Sequence, residues 1–379
     1  MSVPSPPSYM RQHEPLARHT TFELGGPARY FAEVADEPAL VDCIRWAAER
    51  GLPLVVIGGG SNLVIADAGF DGVVLKIALR GLTIHRPVAR GPGAGEVIVR
   101  AASGESFDAL VETTVRCDLN GLECLSGIPG LVGATPVQNV GAYGQEVADT
   151  IRSVRVLDRA SLSLDTLSAH DCRFTYRDSL FKQQRERFVV LEVTFMLRAG
   201  NECAPRHDQV RQALAAMTRA GRRSTSPARV REAVLALRRM KSMVVDPADP
   251  NHRSVGSFFM NPVLSPAAAE DVFARAVSRG VAAHPDDVPR FPGPSGEAKL
   301  SAAWLIEQAG VAPGFRLGAV GVSTNHVLAL VNHGGGSTGE LLALAAHVRD
   351  AVREVFGVSL QPEPAFIGFP TPPLERRGR

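Results

Sequence analysis

Residues 126–144 carry no charge and include five glycines, Gly127, Gly130, Gly133, Gly141 and Gly144. Glycine at that density is poor material for a helix or a strand, because it loses more backbone entropy on ordering than any other residue. Regular structure must therefore be built on either side of the stretch. A glycine-rich surface loop accounts for the glycines but not for Ile128, Leu131, Val132 and Val137 among them. A segment whose backbone lies close against a flat ring, with amide groups offered to the ring edges, accounts for both. On these residues alone the two readings stand side by side.

The flanks read as mixed helix and strand. Leu40, Val41, Ile44, Ala47 and Ala48 recur at helical spacing behind a capping Asp36, which predicts a helix from Glu37 to Arg50 ended by Gly51. The runs Leu54–Ile57, Val73–Ile77 and Val97–Ala101 predict strands, and Ser106 caps a helix from Phe107 to about Cys117. Beyond the glycine stretch, Ser153–Leu157, Ser161–Leu164 and Phe188–Leu197 read as sheet. Helices are expected over Arg206–Gly221 and behind Ser226-Pro227. Three more follow, Pro266–Arg279, Ser301–Ala309 and Gly339–Phe356, with Gly310 and Gly357 as stops and a strand at Val327–Val331. At 379 residues the chain exceeds one ordinary core, so an α+β fold of two or three domains is expected. Residues 1–19 and 369–379 read as flexible tails.

Several function classes are disfavoured. A net charge of +2 is too mild to predict nucleic-acid binding. No apolar run approaches the roughly 18 to 20 residues that span a bilayer, so no membrane insertion is expected, and the N-terminus lacks the apolar core of a secretory signal. Cys43, Cys117, Cys124, Cys172 and Cys203 are odd in number and scattered. They offer no metal site or redox pair, and a cytoplasmic setting is expected.

Five segments carry candidate chemistry. Gly58-Gly59-Gly60-Ser61-Asn62 follows a strand, and consecutive glycines let N–H groups curl around an anionic oxygen. A diphosphate cradle and a plain tight turn both fit, while no G-x-G-x-x-G opens a long helix as a Rossmann site requires. Arg177, in Arg173-Phe174-Thr175-Tyr176-Arg177-Asp178-Ser179, either forks onto a substrate carboxylate or pairs with Asp178 at the surface. From Arg219 to Lys241, seven arginines and that lysine face one acid, Glu232. Most are expected on a solvated helix face, with Arg238 and Lys241 on one side, placed to grip a diphosphate. Gly256-Ser257-Phe258-Phe259-Met260-Asn261 is either a buried strand or a hydroxyl in a dry aromatic pocket that hands a proton to carbon. Glu363, among prolines and apolar residues, either faces a pocket or lies on an exposed loop.

Taken in this order, the segments resemble the UDP-N-acetylenolpyruvoylglucosamine reductase family, flavoenzymes of peptidoglycan precursor synthesis, from about Thr20 to Gly368. The likeness rests on Gly58-Gly59-Gly60-Ser61-Asn62, Gly127-Ile128-Pro129-Gly130, Gln138-Asn139-Val140-Gly141-Ala142-Tyr143-Gly144, the run from Cys172 to Ser179, the run from Gly256 to Pro262, and Glu363. It implies an FAD-binding fold of the vanillyl-alcohol-oxidase (PCMH) type over residues 20–200, in two subdomains at about 20–88 and 89–200. A connecting helical segment at 201–250 and a C-terminal substrate-binding domain at 251–368 would follow. The resemblance also implies FAD as cofactor, NADPH as co-substrate and an enolpyruvyl sugar nucleotide as acceptor, and it is compatible with a monomer.

Residue by residue, Ser257 matches the family's proton donor, with Arg177 and Glu363 assisting. Tyr176, Arg238, Lys241 and Asn261 match substrate-binding positions. Gly58, Gly59, Gly60, Ser61, Asn62, Gly127, Ile128, Gly130, Gln138, Asn139, Gly141, Ala142 and Gly144 match cofactor-binding ones. The Arg173–Ser179 segment resembles the longer-loop form, whose lid tyrosine has no counterpart near Arg206-His207-Asp208, the tyrosines being Tyr9, Tyr30, Tyr143 and Tyr176. Phe291 and His326 stand where relatives can carry Tyr and Gln. The chemistry is coherent: hydride at the outer enolpyruvyl carbon drives charge toward the carboxylate, which a cation such as Arg177 stabilises. A hydroxyl such as Ser257 then needs only to protonate a strongly basic carbanion. A flavin oxidase of similar fold, or a nucleotide-binding module without turnover, would not need both residues.

Overall fold

A computed structural model describes residues 6–86, 95–219, 225–293 and 296–374. Parts of both expected tails, and Arg222 and Arg223 of the basic run, lie outside the described residues, but residues 10–19 of the expected N-terminal tail are ordered, a strand and a short helical turn held by the buried Met10 and Leu16. The chain divides into two compact units, neither of them continuous in sequence. The first comprises Met1–Glu14, Ala28–Gly59 and Asp71–Val244, and the second Pro15–Pro27, Gly60–Phe70 and Val245–Arg379.

Among the described residues the first unit holds two larger sheets and one two-stranded hairpin. One has the strand order Met10–Pro15, Pro27–Val34, Phe70–Ile77, Leu54–Ile57, with the last two parallel and Leu54 opposite Val73. Helix α1 (Glu37–Glu49) starts where the Asp36 carboxylate accepts the Ala39 N–H at 2.8 Å. It buries Leu40, Cys43, Ile44 and Ala47 in one core with Ala32, Val73 and Leu75.

The second sheet runs Leu164–Ser168, Ile151–Asp158, Phe188–Ala199, Glu96–Ala102, Leu82–His85, and its pairs are antiparallel. Strand alternation sets Val97, Val99 and Ala101 opposite Leu197, Phe195 and Val193. Helix α2 (Phe107–Arg116), capped by Ser106, adds Phe107, Leu110 and Val111 to that core. After the single turn α3 (Leu180–Gln183), α4 (Asp208–Arg219) packs on α5 (Pro227–Met240) through Val210, Leu214, Val230, Ala233 and Val234.

In the second unit α6 (Pro266–Ser278), α7 (Ala302–Gln308) and α8 (Thr338–Phe356) share a core with Phe258, Phe259, Leu330 and Leu360. Two small antiparallel sheets lie in this unit, one of Val263–Leu264, Ala298–Leu300 and Arg290–Pro292, the other of Arg316–Leu317, Val320–Val322 and Leu330–Asn332. Leu63–Ile65 and Ala365–Ile367 form a parallel pair.

Two strands fall elsewhere than expected. The strand expected at Ser161–Leu164 begins only at Leu164 and runs to Ser168, because the Asp158 carboxylate accepts the N–H groups of Ala160 and Ser161 and closes a turn there. The one expected at Val327–Val331 is confined to Leu330–Asn332, since the Ala329 N–H bonds back to the His326 carbonyl. Among the described residues no helix is long and apolar enough to cross a membrane, and no cluster of three metal-ligating side chains occurs.

Candidate active site

The charge-free stretch is not a surface loop. Ser126, Gly127, Val132, Asn139 and Gly141 are buried, and most of its glycines are demanded by close approach. A Cβ on Gly133 would lie 2.4 Å from the Ser103 Cβ, and one on Gly141 would lie 2.7 Å from the Glu146 Cγ. Gly59 backs onto Gly130, where a Cβ would sit 3.0 Å from the Gly130 Cα. The first unit thus brings Gly58 and Gly59 beside Gly130 and Leu131. The Gly59 N–H, on an exposed bend, donates to no backbone carbonyl among the described residues. A free N–H on glycine backbone suits an anionic oxygen, so these residues fit the phosphate part of FAD.

Arg177 lies on the same unit and faces the same stretch. Its Nη2 donates to the Gly141 carbonyl at 2.5 Å and its Nη1 to the Asn139 carbonyl at 3.3 Å. Asp178 instead accepts from Gln183 at 2.8 Å, so the surface pair with Arg177 does not form. Arg177 has φ +56°, held by a turn in which Thr175 and Asp178 exchange backbone hydrogen bonds. A left-handed arginine is uncommon, and surrounding structure must impose it. The Lys182 Nζ bonds the Arg177 carbonyl at 2.7 Å, and the Tyr176 ring lies 5.6 Å from the guanidinium carbon.

Asn139 organises this region. Its amide donates to Glu146 Oε2 at 2.7 Å and to the Thr175 carbonyl at 3.0 Å, while its oxygen accepts the Ala148 N–H at 3.1 Å. Both donors are committed to protein. Ile128 and Gln138 are half-buried, and the short hairpin Gly141–Ala142 with Gln145–Glu146 carries Tyr143 and Gly144 at its turn.

At the end of α5, Arg238 and Lys241 are partly withdrawn from water, whereas Arg239 is exposed. Arg238 donates to the Met243 carbonyl at 2.5 Å, and its Nε is buried with no partner. Burial lowers its pKa against the pull of Tyr143 and Asp108. Lys241 bonds Gln209 at 2.9 Å and stands 5.8 Å from the Tyr143 ring centre. Burial first, and then Arg238, lower its pKa as well. Tyr143 in turn meets His207 edge to face at 5.2 Å. The solvated basic face expected here is only partly present. Arg229 and Arg231 are 14% and 13% exposed, one paired with Glu232 and the other with Asp108 at 2.6 Å.

The second unit brings together the Ser257 and Glu363 segments with Asn62. Gly256 has φ +75°, and Ser257 bridges Ala329. The Glu363 N–H donates to the Phe258 carbonyl at 2.9 Å, and the Ala365 N–H to the Asn62 carbonyl at 3.0 Å. Phe258 and Phe259 meet edge to face at 5.1 Å and are core residues, whereas Ser257 is half-buried. The rings therefore anchor this segment in the core of the second unit. Asn261 caps α7, its oxygen accepting the Ala302 N–H at 2.9 Å. Gly60 has φ +67°, and a Cβ there would fall 1.8 Å from the His19 carbonyl oxygen. Ser61 follows in this unit.

Sequence reasoning did not find Gln209 or Asp108, and marked His207 only as lying where relatives place a lid tyrosine; all three support these residues from other elements. No local pattern marks them. Their partners come from distant segments, as Asp108 and Arg231 show.

Comparison with known proteins gives two family matches. Residues 247–367 match the model of UDP-N-acetylenolpyruvoylglucosamine reductase, C-terminal domain, and residues 28–162 match that of an FAD binding domain. UDP-N-acetylenolpyruvoylglucosamine reductase of Saccharopolyspora erythraea is 49% identical over 356 residues, 93% of this chain and 94% of that protein. The protein of the same name from Thermobifida fusca is 46% identical over 93% of this chain and 97% of its own length. The crystal structure of UDP-N-acetylenolpyruvylglucosamine reductase from Thermus caldophilus shares the fold, with a TM-score of 0.62 at 22% identity. That match covers 95% of this chain and all of the other.

Proposed function

Because this chain belongs to the UDP-N-acetylenolpyruvoylglucosamine reductase family and is an α+β FAD-dependent oxidoreductase, we propose that it reduces the enolpyruvyl ether of UDP-N-acetylglucosamine to UDP-N-acetylmuramate. NADPH is the electron donor, and the reaction is a cytoplasmic step of peptidoglycan precursor synthesis. FAD, when bound, supplies the two-electron chemistry of hydride acceptance and delivery. Gly58, Gly59, Gly60, Ser61 and Asn62 hold its phosphates, and Gly127, Ile128, Gly130, Gln138, Asn139, Gly141, Ala142 and Gly144 its ring, with Asn139 acting through its backbone.

Arg177 binds the carboxylate of the enolpyruvyl group and stabilises the charge that develops there. Ser257 gives its hydroxyl proton to the inner carbon, with Glu363 assisting. Tyr176 and Asn261 bind substrate, while the cationic charges of Arg238 and Lys241 favour its diphosphate.

The observation that carries this reading is the bond from the Glu363 N–H to the Phe258 carbonyl, which sets the Glu363 segment directly beside the Ser257 segment. Replacing Ser257 tests it. With Ser257→Ala, flavin reduction by NADPH should stay near the wild-type rate, and reoxidation by the sugar nucleotide should slow by roughly 10² to 10⁴. Stopped-flow flavin absorbance separates the two half-reactions. Equal slowing of both would show that Ser257 is not the acid.

A further inference from the structure

Asp108 lies in the first turn of α2, and its carboxylate holds two other elements at once. Oδ1 accepts the Gly127 N–H at 2.6 Å and Arg231 Nη1 at 2.6 Å, while Oδ2 accepts Arg231 Nη2 at 2.9 Å. The Arg231 side chain is 13% exposed and that of Asp108 34%, and the two-pronged geometry is that of the stronger charge-assisted pairs. Gly127 has φ +75° and, lacking a Cβ, has no side chain of its own to seat it. A Cβ there would lie 2.8 Å from Leu235 Cδ2 and 3.3 Å from Arg238 Nε, so the glycine packs directly on α5 at the residue whose Nε is buried without a partner. Burial alone would raise the Asp108 pKa. The Arg231 guanidinium and then the Gly127 amide outweigh it and hold the carboxyl below its ordinary value.

We propose that Asp108 and Arg231 are positioning residues that lock the Gly127–Gly130 segment to the Arg238 end of α5, so that affinity for FAD and for the sugar nucleotide depend on one ion pair. The inference rests on the reading of Gly127 as a cofactor contact and of Arg238 as a substrate contact. Neither Asp108 nor Arg231 touches the reacting atoms. Asp108 supplies the loop amide with a charged acceptor, and Arg231 fixes where that acceptor stands. If the carboxylate is lost, the amide keeps at best a weaker acceptor and Arg231 remains as a covered cation without its counter-charge.

The test combines FAD titration of the apoprotein by fluorescence quenching, apoprotein melting, and steady-state kinetics at saturating FAD. Asp108→Asn should weaken FAD binding roughly 10- to 100-fold and raise KM for the sugar nucleotide while kcat changes little. The reversed pair, Asp108→Arg with Arg231→Asp, should recover most of the melting temperature but not the FAD affinity, because a cation then faces the Gly127 N–H. Recovery of both would show that the pair serves packing alone and would overturn the proposal, as would wild-type FAD affinity in Asp108→Asn. If Asp108→Asn does not fold, Asp108→Glu carries the test. It keeps the charge but displaces the acceptor, so FAD affinity should fall without a matching loss of melting temperature, and unchanged affinity would overturn the proposal. Gly127→Val tests the premise separately. FAD affinity unaffected by that change would show that Gly127 is not a cofactor contact, whereas affinity lost there but kept in Asp108→Asn would remove only the coupling.

Discussion

Asn139 shows how far residue identity carries an argument and where it stops. Its place in Gln138-Asn139-Val140-Gly141 matches a cofactor-binding position by resemblance, while its side chain bonds Glu146, Thr175 and Ala148, tying the glycine turn to the turn that presents Arg177. The three bonds explain why a non-glycine residue holds φ +46° there, asparagine being among the side chains that tolerate it. Asn139→Asp would set a second carboxylate against Glu146. Repulsion between two ionised carboxylates opposes folding, and protonating one of them at low pH relieves it. Urea denaturation should therefore find a deficit of about 2 kcal/mol at pH 8 that shrinks toward pH 5. A deficit independent of pH would mean that lost hydrogen bonds, rather than charge, dominate.

At the scale of elements, helix starts and stops were the most legible features, because they depend on neighbours within one turn. Asp36, Ser106 and Ser226 each accept the N–H three residues on, as their positions in sequence predict. Helix α8 carries the same logic furthest. The Ser337 Oγ accepts the Glu340 N–H at 3.1 Å, Glu340 accepts the Ser337 N–H at 2.8 Å, and Gly357 closes the helix at φ +74°. Ser337→Ala should cost about 1 kcal/mol in chemical denaturation, with substrate affinity at FAD saturation unchanged. Strands were less legible. The turn made by Asp158 displaced one, and Met10–Pro15, Pro27–Val34 and Leu82–His85 were not foreseen, since their exposure departs from strict alternation.

At the scale of the whole molecule, each unit gathers distant segments. Residues 60–70 join the second unit through the pairing of Leu63–Ile65 with Ala365–Ile367 and through Asp67. Asp67 accepts the Thr338 and Gly339 N–H groups at 2.7 and 2.8 Å, and the Thr338 hydroxyl bonds the Ile65 carbonyl at 2.6 Å. Asp67→Ala should remove two charge-assisted acceptors from the start of α8 and lower stability by about 1–3 kcal/mol. Hydrogen exchange should then show lost protection at the Thr338 and Gly339 amides, and full protection there would refute the role given to Asp67.

The sequence alone determined the helix limits, the mixed fold class and the segments by which the chain resembles its family, because caps, glycine turns and periodicity act through neighbours a few residues away. Only the tertiary structure decided that Asp108 reaches Arg231 and Gly127, that Glu363 bonds beside Ser257, and that the charge-free stretch is packed inside the first unit. Those pairings arise where buried donors and acceptors must be satisfied across long loops of chain, and that requirement leaves no imprint on the residues between them.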